Sequence, residues 1–86
     1  MKYSFDTKKA LYSFLAQRIR EKLDKEGLTT DHINKDTLAI SRRQFFYIKK
    51  IGNGQDAPEL GEGKLKDLIT KLGLDYSVEY YLNDDI

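Results

Sequence analysis

The stretch from Ile40 to Gly54, Ile-Ser-Arg-Arg-Gln-Phe-Phe-Tyr-Ile-Lys-Lys-Ile-Gly-Asn-Gly, constrains this chain more than any other. Ser41 followed three residues later by Gln44 is a capping box. In it the hydroxyl accepts from the Gln44 backbone N–H, while the Gln44 side chain reaches back to the Ser41 N–H. Ile40 and Phe45 fall at the two positions of a hydrophobic staple. The spacing therefore predicts a helix opening at Ser41, and Gly52 or Gly54 supplies the left-handed residue that can end it.

Advancing ~100° per residue around that helix places Phe45, Ile48 and Ile51 on one side, which must face a core. Arg42, Arg43, Phe46, Lys49 and Lys50 gather on the opposite side within roughly 120°, with Tyr47 at the margin. No acidic residue of the helix interrupts this arc. Arginine in the first turn and lysine in the last suit a nucleic-acid groove, where forked guanidinium groups read guanine edges and ammonium groups meet phosphates. Charged residues that merely solvate an outer face would give the same arc, but Phe46 in its middle calls for a cover: a thymine methyl, another element or a partner chain.

Eighty-six residues make one domain, and a chain this short buries only about 60 to 65% of its unfolded surface. The whole of 1–86 is thus expected to be a single modest core. The absence of cysteine excludes disulfides and thiolate metal sites and fits a reducing cytoplasm. No apolar run approaches the ~18 residues of a membrane span, and the start Met-Lys-Tyr-Ser-Phe-Asp is not a signal peptide. The net charge of +1 conceals a division. Residues 1–50 hold 12 Lys or Arg against 6 Asp or Glu, a balance of +6, whereas residues 51–86 hold 3 against 8, a balance of −5. A basic first half fits a polyanion, and an acidic second half fits solvation, self-association or a protein partner.

In chain order, Lys2 to Phe5 alternates as a strand edge would, and Asp6 or Thr7 can cap a helix beginning just beyond them. Leu11, Leu15, Ile19 and Leu23, with Phe14 beside them, predict a long amphipathic helix from Lys8 to Glu26, stopped by Gly27 with Leu28 folding back. Thr29, Thr30 and Asp31 offer caps for a short helix of roughly two turns carrying Ile33, Thr37 and Leu38. Only a few residues separate it from Ser41, the spacing of a helix-turn-helix unit. Gln55 to Gly63, with Pro58, reads as a loop. Lys64 to Leu72 resumes helical spacing with Leu65, Leu68, Ile69 and Leu72 on one face, ended by Gly73 and Leu74. Tyr76, Val78, Tyr80 and Leu82 alternate with polar residues or Tyr81 and predict a strand over 76–82, which must pair with Lys2 to Phe5 or with a symmetry mate.

Enzymatic chemistry lacks its parts. His32 is the only histidine, so neither a catalytic triad nor a zinc site can be assembled, and a lone histidine on a helix face is structural or solvated. Gly52 to Ala57 matches the dinucleotide fingerprint by letters but closes a helix instead of opening one. Gly61-Glu62-Gly63-Lys64 has Pro58 where a phosphate loop needs its first glycine and Leu65 where it needs a hydroxyl. Asp84 and Asp85 lack calcium-loop spacing. No catalytic residue, cofactor or metal is expected.

From about Leu15 to Asp75 the order of parts resembles the Cro/C1-type helix-turn-helix family (the XRE family) of DNA-binding repressors. The pieces are Leu15-Ala-Gln-Arg-Ile-Arg-Glu21, Glu26-Gly-Leu-Thr29, Ile40-Ser-Arg42, Ile51-Gly-Asn-Gly54 with Pro58 beyond, and Leu72-Gly-Leu74. The resemblance implies a mainly α, four- to five-helix lambda-repressor-like bundle, to which the alternating termini add a short β element. It implies that Arg42, Arg43 and Tyr47 face bases, and that Thr30 and Asn53 lie near phosphates. Asn34 stands where the family has alanine in its second helix, Leu28 to Ile40 is one residue longer, and the recognition helix is about one turn longer. The expected function is sequence-specific binding of double-stranded DNA by a cytoplasmic, repressor-like transcription regulator, a homodimer using Ser41–Ile51 as recognition helix. Phe46 and Tyr47 would pack on bases or sugar, and Lys49 and Lys50 would hold phosphates. The rival expectation is a protein-interaction module in which Phe46 and Tyr47 are buried in a partner and the basic residues match an acidic surface, and an antitoxin-like or phage-type regulator would combine both jobs with the 76–82 strand as its partner-binding edge. Stacking of tyrosines on single-stranded nucleic acid is a third.

Overall fold

The four-residue recurrence of leucine and isoleucine becomes α1 (Lys8–Lys25), opened by Thr7, whose hydroxyl accepts from the Ala10 N–H at 3.2 Å. Lys22 and Lys25 in its last turn oppose the partial negative charge of the helix end. Leu11, Leu15, Ile19 and Leu23 are all buried, joined by Tyr12 and Ala16 on the same face. Gly27 then takes a left-handed φ of +70°, and the Leu28 N–H donates to Leu23 O at 2.8 Å, which closes the turn back onto the core.

This computed structural model describes residues 3–74 and 78–80. After α1 come a 3-10 turn at Thr30–His32, α2 (Lys35–Leu38), α3 (Arg42–Gly52) and α4 (Glu62–Lys71), and strands β1 (Tyr3–Phe5) and β2 (Val78–Tyr80) lie at the two ends. The described chain is mainly helical, a small bundle. α1 and α3 pack directly against each other and α4 lies against α2. One cluster of buried apolar side chains unites them, including Ile33, Leu38 and Ile40 from the connection and Leu65, Leu68 and Ile69 from α4.

The second helix differs from its expected two turns. It breaks into the 3-10 turn and the four-residue α2 because Asn34 is an N-cap, its Oδ1 accepting from the N–H groups of Asp36 at 2.9 Å and Thr37 at 3.0 Å. A side chain that bonds the backbone ahead of it competes with helix continuation. Asn34 therefore starts a helix and lies in the middle of none. His32 serves the same local role, its Nδ1 accepting from the Thr29 N–H at 3.0 Å.

Ala39, with φ +64°, ends α2 in the left-handed region and begins the turn Ala39-Ile40-Ser41 that leads into α3. Lys64 of α4 donates to Ala39 O at 3.2 Å and ties that turn to the bundle. At the far side Tyr12 holds the long loop: its hydroxyl accepts from the buried Leu60 N–H at 3.1 Å, and Lys8 pairs with Glu59 at 2.9 Å beside it. Tyr12→Phe should therefore orphan a buried N–H and lower stability by about 1–3 kcal/mol, readable as the chemical denaturation midpoint.

Of the two partners open to the terminal strand, β2 takes the intrachain one. It pairs in parallel with β1 in the register Tyr3↔Val78, Ser4↔Glu79 and Phe5↔Tyr80. Phe5 stacks on Phe14 at 4.9 Å between ring centroids, which seats β1 on α1. The ends of the strand expected over 76–82, and the acidic pair Asp84 and Asp85, lie outside the described residues. Among the described residues no helix is long and apolar enough to cross a membrane.

Candidate nucleic-acid interface

α3 opens where the capping box places it. The Gln44 N–H donates to Ser41 Oγ at 3.2 Å, and the Ser41 N–H donates to Gln44 Oε1 at 2.9 Å. Both sequence-expected caps are thus filled at once. The helix ends in a left-handed turn at Gly54, with φ +85°, and not at Gly52, and the Gln55 N–H donates to Lys50 O at 2.9 Å. The apolar side divides as its spacing requires: Phe45, Ile48 and Ile51 are buried.

On the other side Arg42 and Arg43 are exposed, and Phe46 is 52% exposed, the large apolar side chain left to solvent among the described residues. Lys49, Lys50 and Tyr47 are half-buried. The reason is local: Lys49 Nζ lies 5.1 Å from the Phe45 ring centroid and 6.0 Å from that of Phe46, and Lys50 Nζ lies 5.4 Å from Phe46. Ammonium groups laid over ring faces gain about 0.5–1 kcal/mol at exposed sites. Tyr47 adds its ring 6.4 Å from that of Phe46. The result is an aromatic centre with two ammonium groups against it.

An acid does enter this face, from outside the helix. Asp31, in the 3-10 turn, accepts through Oδ1 from Arg42 Nη1 at 2.8 Å. A helix wheel cannot contain it, because the pair is eleven residues apart in sequence and belongs to two elements. Between the turn and α3 lies an open cleft of about 410 Å³. Thr30 and Asp31 form one wall, and Arg42, Arg43, Phe46 and Lys49 line the other.

The expected contact residues are therefore divided in space. Thr30, Arg42, Arg43, Phe46 and Lys49 share the cleft, while Tyr47 and Lys50 flank Phe46. Asn53 stands apart as the C-cap of the 11-residue α3, its N–H donating to Lys49 O and Lys50 O. The helix length of about 16 Å separates it from the Thr30 end. Lys9 of α1 sits near that far end, its Nζ 3.9 Å from where a Cβ on Gly54 would stand, a neighbour that sequence spacing does not announce. Among the described residues no three His, Asp or Glu side chains are grouped to hold a metal ion. Compared with known protein families, curated proteins and solved structures, the chain matches none.

Proposed function

We propose that this chain binds double-stranded DNA as a Cro/C1-type, lambda-repressor-like helix-turn-helix regulator, with α3 and its cap, Ser41 to Ile51, as the recognition helix. The observation that supports this most is the α3 face itself. Lys49 and Lys50 lie over the exposed Phe46, and Arg42 and Arg43 share its cleft, on a helix whose opposite side is buried and whose start comes after a short helix and a tight turn. Arg42 and Arg43 then read base edges, Phe46 and Tyr47 pack on bases or sugar, and Lys49, Lys50, Thr30 and Asn53 hold phosphates. A homodimer in the cytoplasm, occupying a two-fold-related site to repress transcription, completes the reading.

Titration of labelled random-sequence duplex at salt concentrations from about 50 to about 200 mM tests it. Affinity should fall steeply with salt, and Lys49→Ala should weaken binding to every sequence alike and flatten the log–log salt slope by roughly one unit. Salt-independent binding, or tighter binding to single strands than to duplex, would overturn the reading. The exposure of Phe46 also favours a second reading, a protein-interaction module or antitoxin-like protein in which a partner buries this ring. In that case Phe46→Ala abolishes partner capture, and no duplex competes for the face.

A further inference from the structure

The contact between Asp31 and Arg42 joins two backbone positions that are each fixed locally. The 3-10 turn carrying Asp31 is closed by the Ile33 N–H donating to Thr30 O at 3.2 Å and by the bond from Thr29 N–H to His32 Nδ1 at 3.0 Å. Arg42 stands directly after Ser41, inside the Ser41–Gln44 capping box. Both side chains remain open to solvent, 63% exposed for Arg42 and 79% for Asp31, so the pair adds little to stability. Its consequence lies in orientation.

A guanidinium group carries five N–H donors in a rigid plane. Asp31 accepts from Nη1, which leaves donors on the remaining edge for the two acceptors, O6 and N7, of a guanine. Among the described residues Asp31 is also the one acid lining the cleft, against Arg42, Arg43 and Lys49. A carboxylate there repels a phosphate that approaches Arg42 with the full force of two like charges, whereas the O6 and N7 atoms of a guanine edge carry only partial negative charge and are repelled far less. We propose that Asp31 is a positioning residue for Arg42, presenting its guanidinium to a guanine edge while disfavouring contact with phosphate alone; this rests on the DNA-binding reading above. The acid thereby exchanges affinity for selectivity. The pair is already formed in the free protein.

The test compares wild type, Asp31→Asn, Arg42→Ala and the double variant on two probes. One is random-sequence duplex; the other is a duplex selected from that pool by wild type and synthesised with either guanine or 7-deazaguanine, which lacks the N7 acceptor. Asp31→Asn keeps the size of the side chain and removes its charge. It should bind random duplex roughly 3- to 10-fold more tightly. Its preference for guanine over 7-deazaguanine should fall by roughly 3- to 10-fold, the scale of one of the two hydrogen bonds in a bidentate contact. In the Arg42→Ala background the same substitution should leave that preference unchanged. A purely structural role would lower the unfolding temperature and weaken both duplexes equally, which overturns the proposal. Unchanged affinity and preference in Asp31→Asn, or an equal loss of preference with and without Arg42, overturns it too and leaves the DNA-binding reading standing. Failure of wild type to bind any duplex at low salt is the separate result that removes both.

Discussion

Affinity for a selected duplex should drop by roughly 30- to 20,000-fold when Arg42 and Arg43 are both replaced by alanine, since each bidentate guanine contact supplies about 1–3 kcal/mol. The loss should come without unfolding. Both side chains are exposed, and the ion pair that Arg42 makes with Asp31 is of the kind worth about 0–1 kcal/mol. Replacing both arginines by lysine separates reading from attraction. Charge is retained, so random duplex should still bind with strong salt dependence, but the planar fork is gone and sequence preference should collapse. Fluorescence anisotropy with selected and random duplexes measures both quantities in one series. Wild-type affinity in the alanine double variant would remove α3 from any role in recognition.

The second large effect concerns Gly52, inside the last turn of α3. A Cβ at this position would lie 2.9 Å from both Cα and N of Ser13 and 3.3 Å from the carbonyl carbon of Tyr12, all backbone atoms of α1. A side-chain tip could swing away from such a contact, but backbone inside a helix cannot. On an open helix surface, Gly→Ala would gain about 1 kcal/mol from propensity. Here the sign should reverse, with a net loss of about 1–3 kcal/mol for Gly52→Ala and about 3 kcal/mol or more for Gly52→Val. For a chain of this length each kcal/mol moves the midpoint by about 4–8 °C, so Gly52→Val should melt more than about 10 °C below wild type. The cost also bears on function, because α3 can separate from α1 only by exposing Phe45, Ile48 and Ile51, the residues that fix its outer face. A Gly52→Ala variant that melts at or above wild type would show that the two helices do not cross this closely.

Much of this molecule is legible in short-range pattern. The Ser41–Gln44 box, the caps at Gly27 and Gly73 and the four-residue recurrence in α1 each involve residues within one or two turns, where backbone geometry fixes who meets whom. The candidate face of α3 obeys the same rule, and the exposed Arg42, Arg43 and Phe46 stand opposite the buried Phe45, Ile48 and Ile51. Asn34 is harder to place, because a residue that can either sit within a helix or start one is decided by its hydrogen-bond partners, here the N–H groups of Asp36 and Thr37. Thr30 and Asn53 share a role near phosphates only by the resemblance, and the structure sets them apart, Thr30 in the 3-10 turn across the cleft from Arg42 and Asn53 at the C-cap of α3.

What the amino-acid order alone determined is local: where α1 and α3 begin, which side of each is apolar, and that a basic arc on α3 carries a phenylalanine. Tertiary structure decided the rest. The Asp31–Arg42 pair, the Tyr12 hydroxyl under Leu60, the Lys64 hold on Ala39 and the Gly52 crossing join residues between 11 and 48 positions apart or lying on different helices. Such contacts depend on how elements are brought together to bury one shared core. Periodicity records only the face that each element turns toward that core, not the residue it meets there.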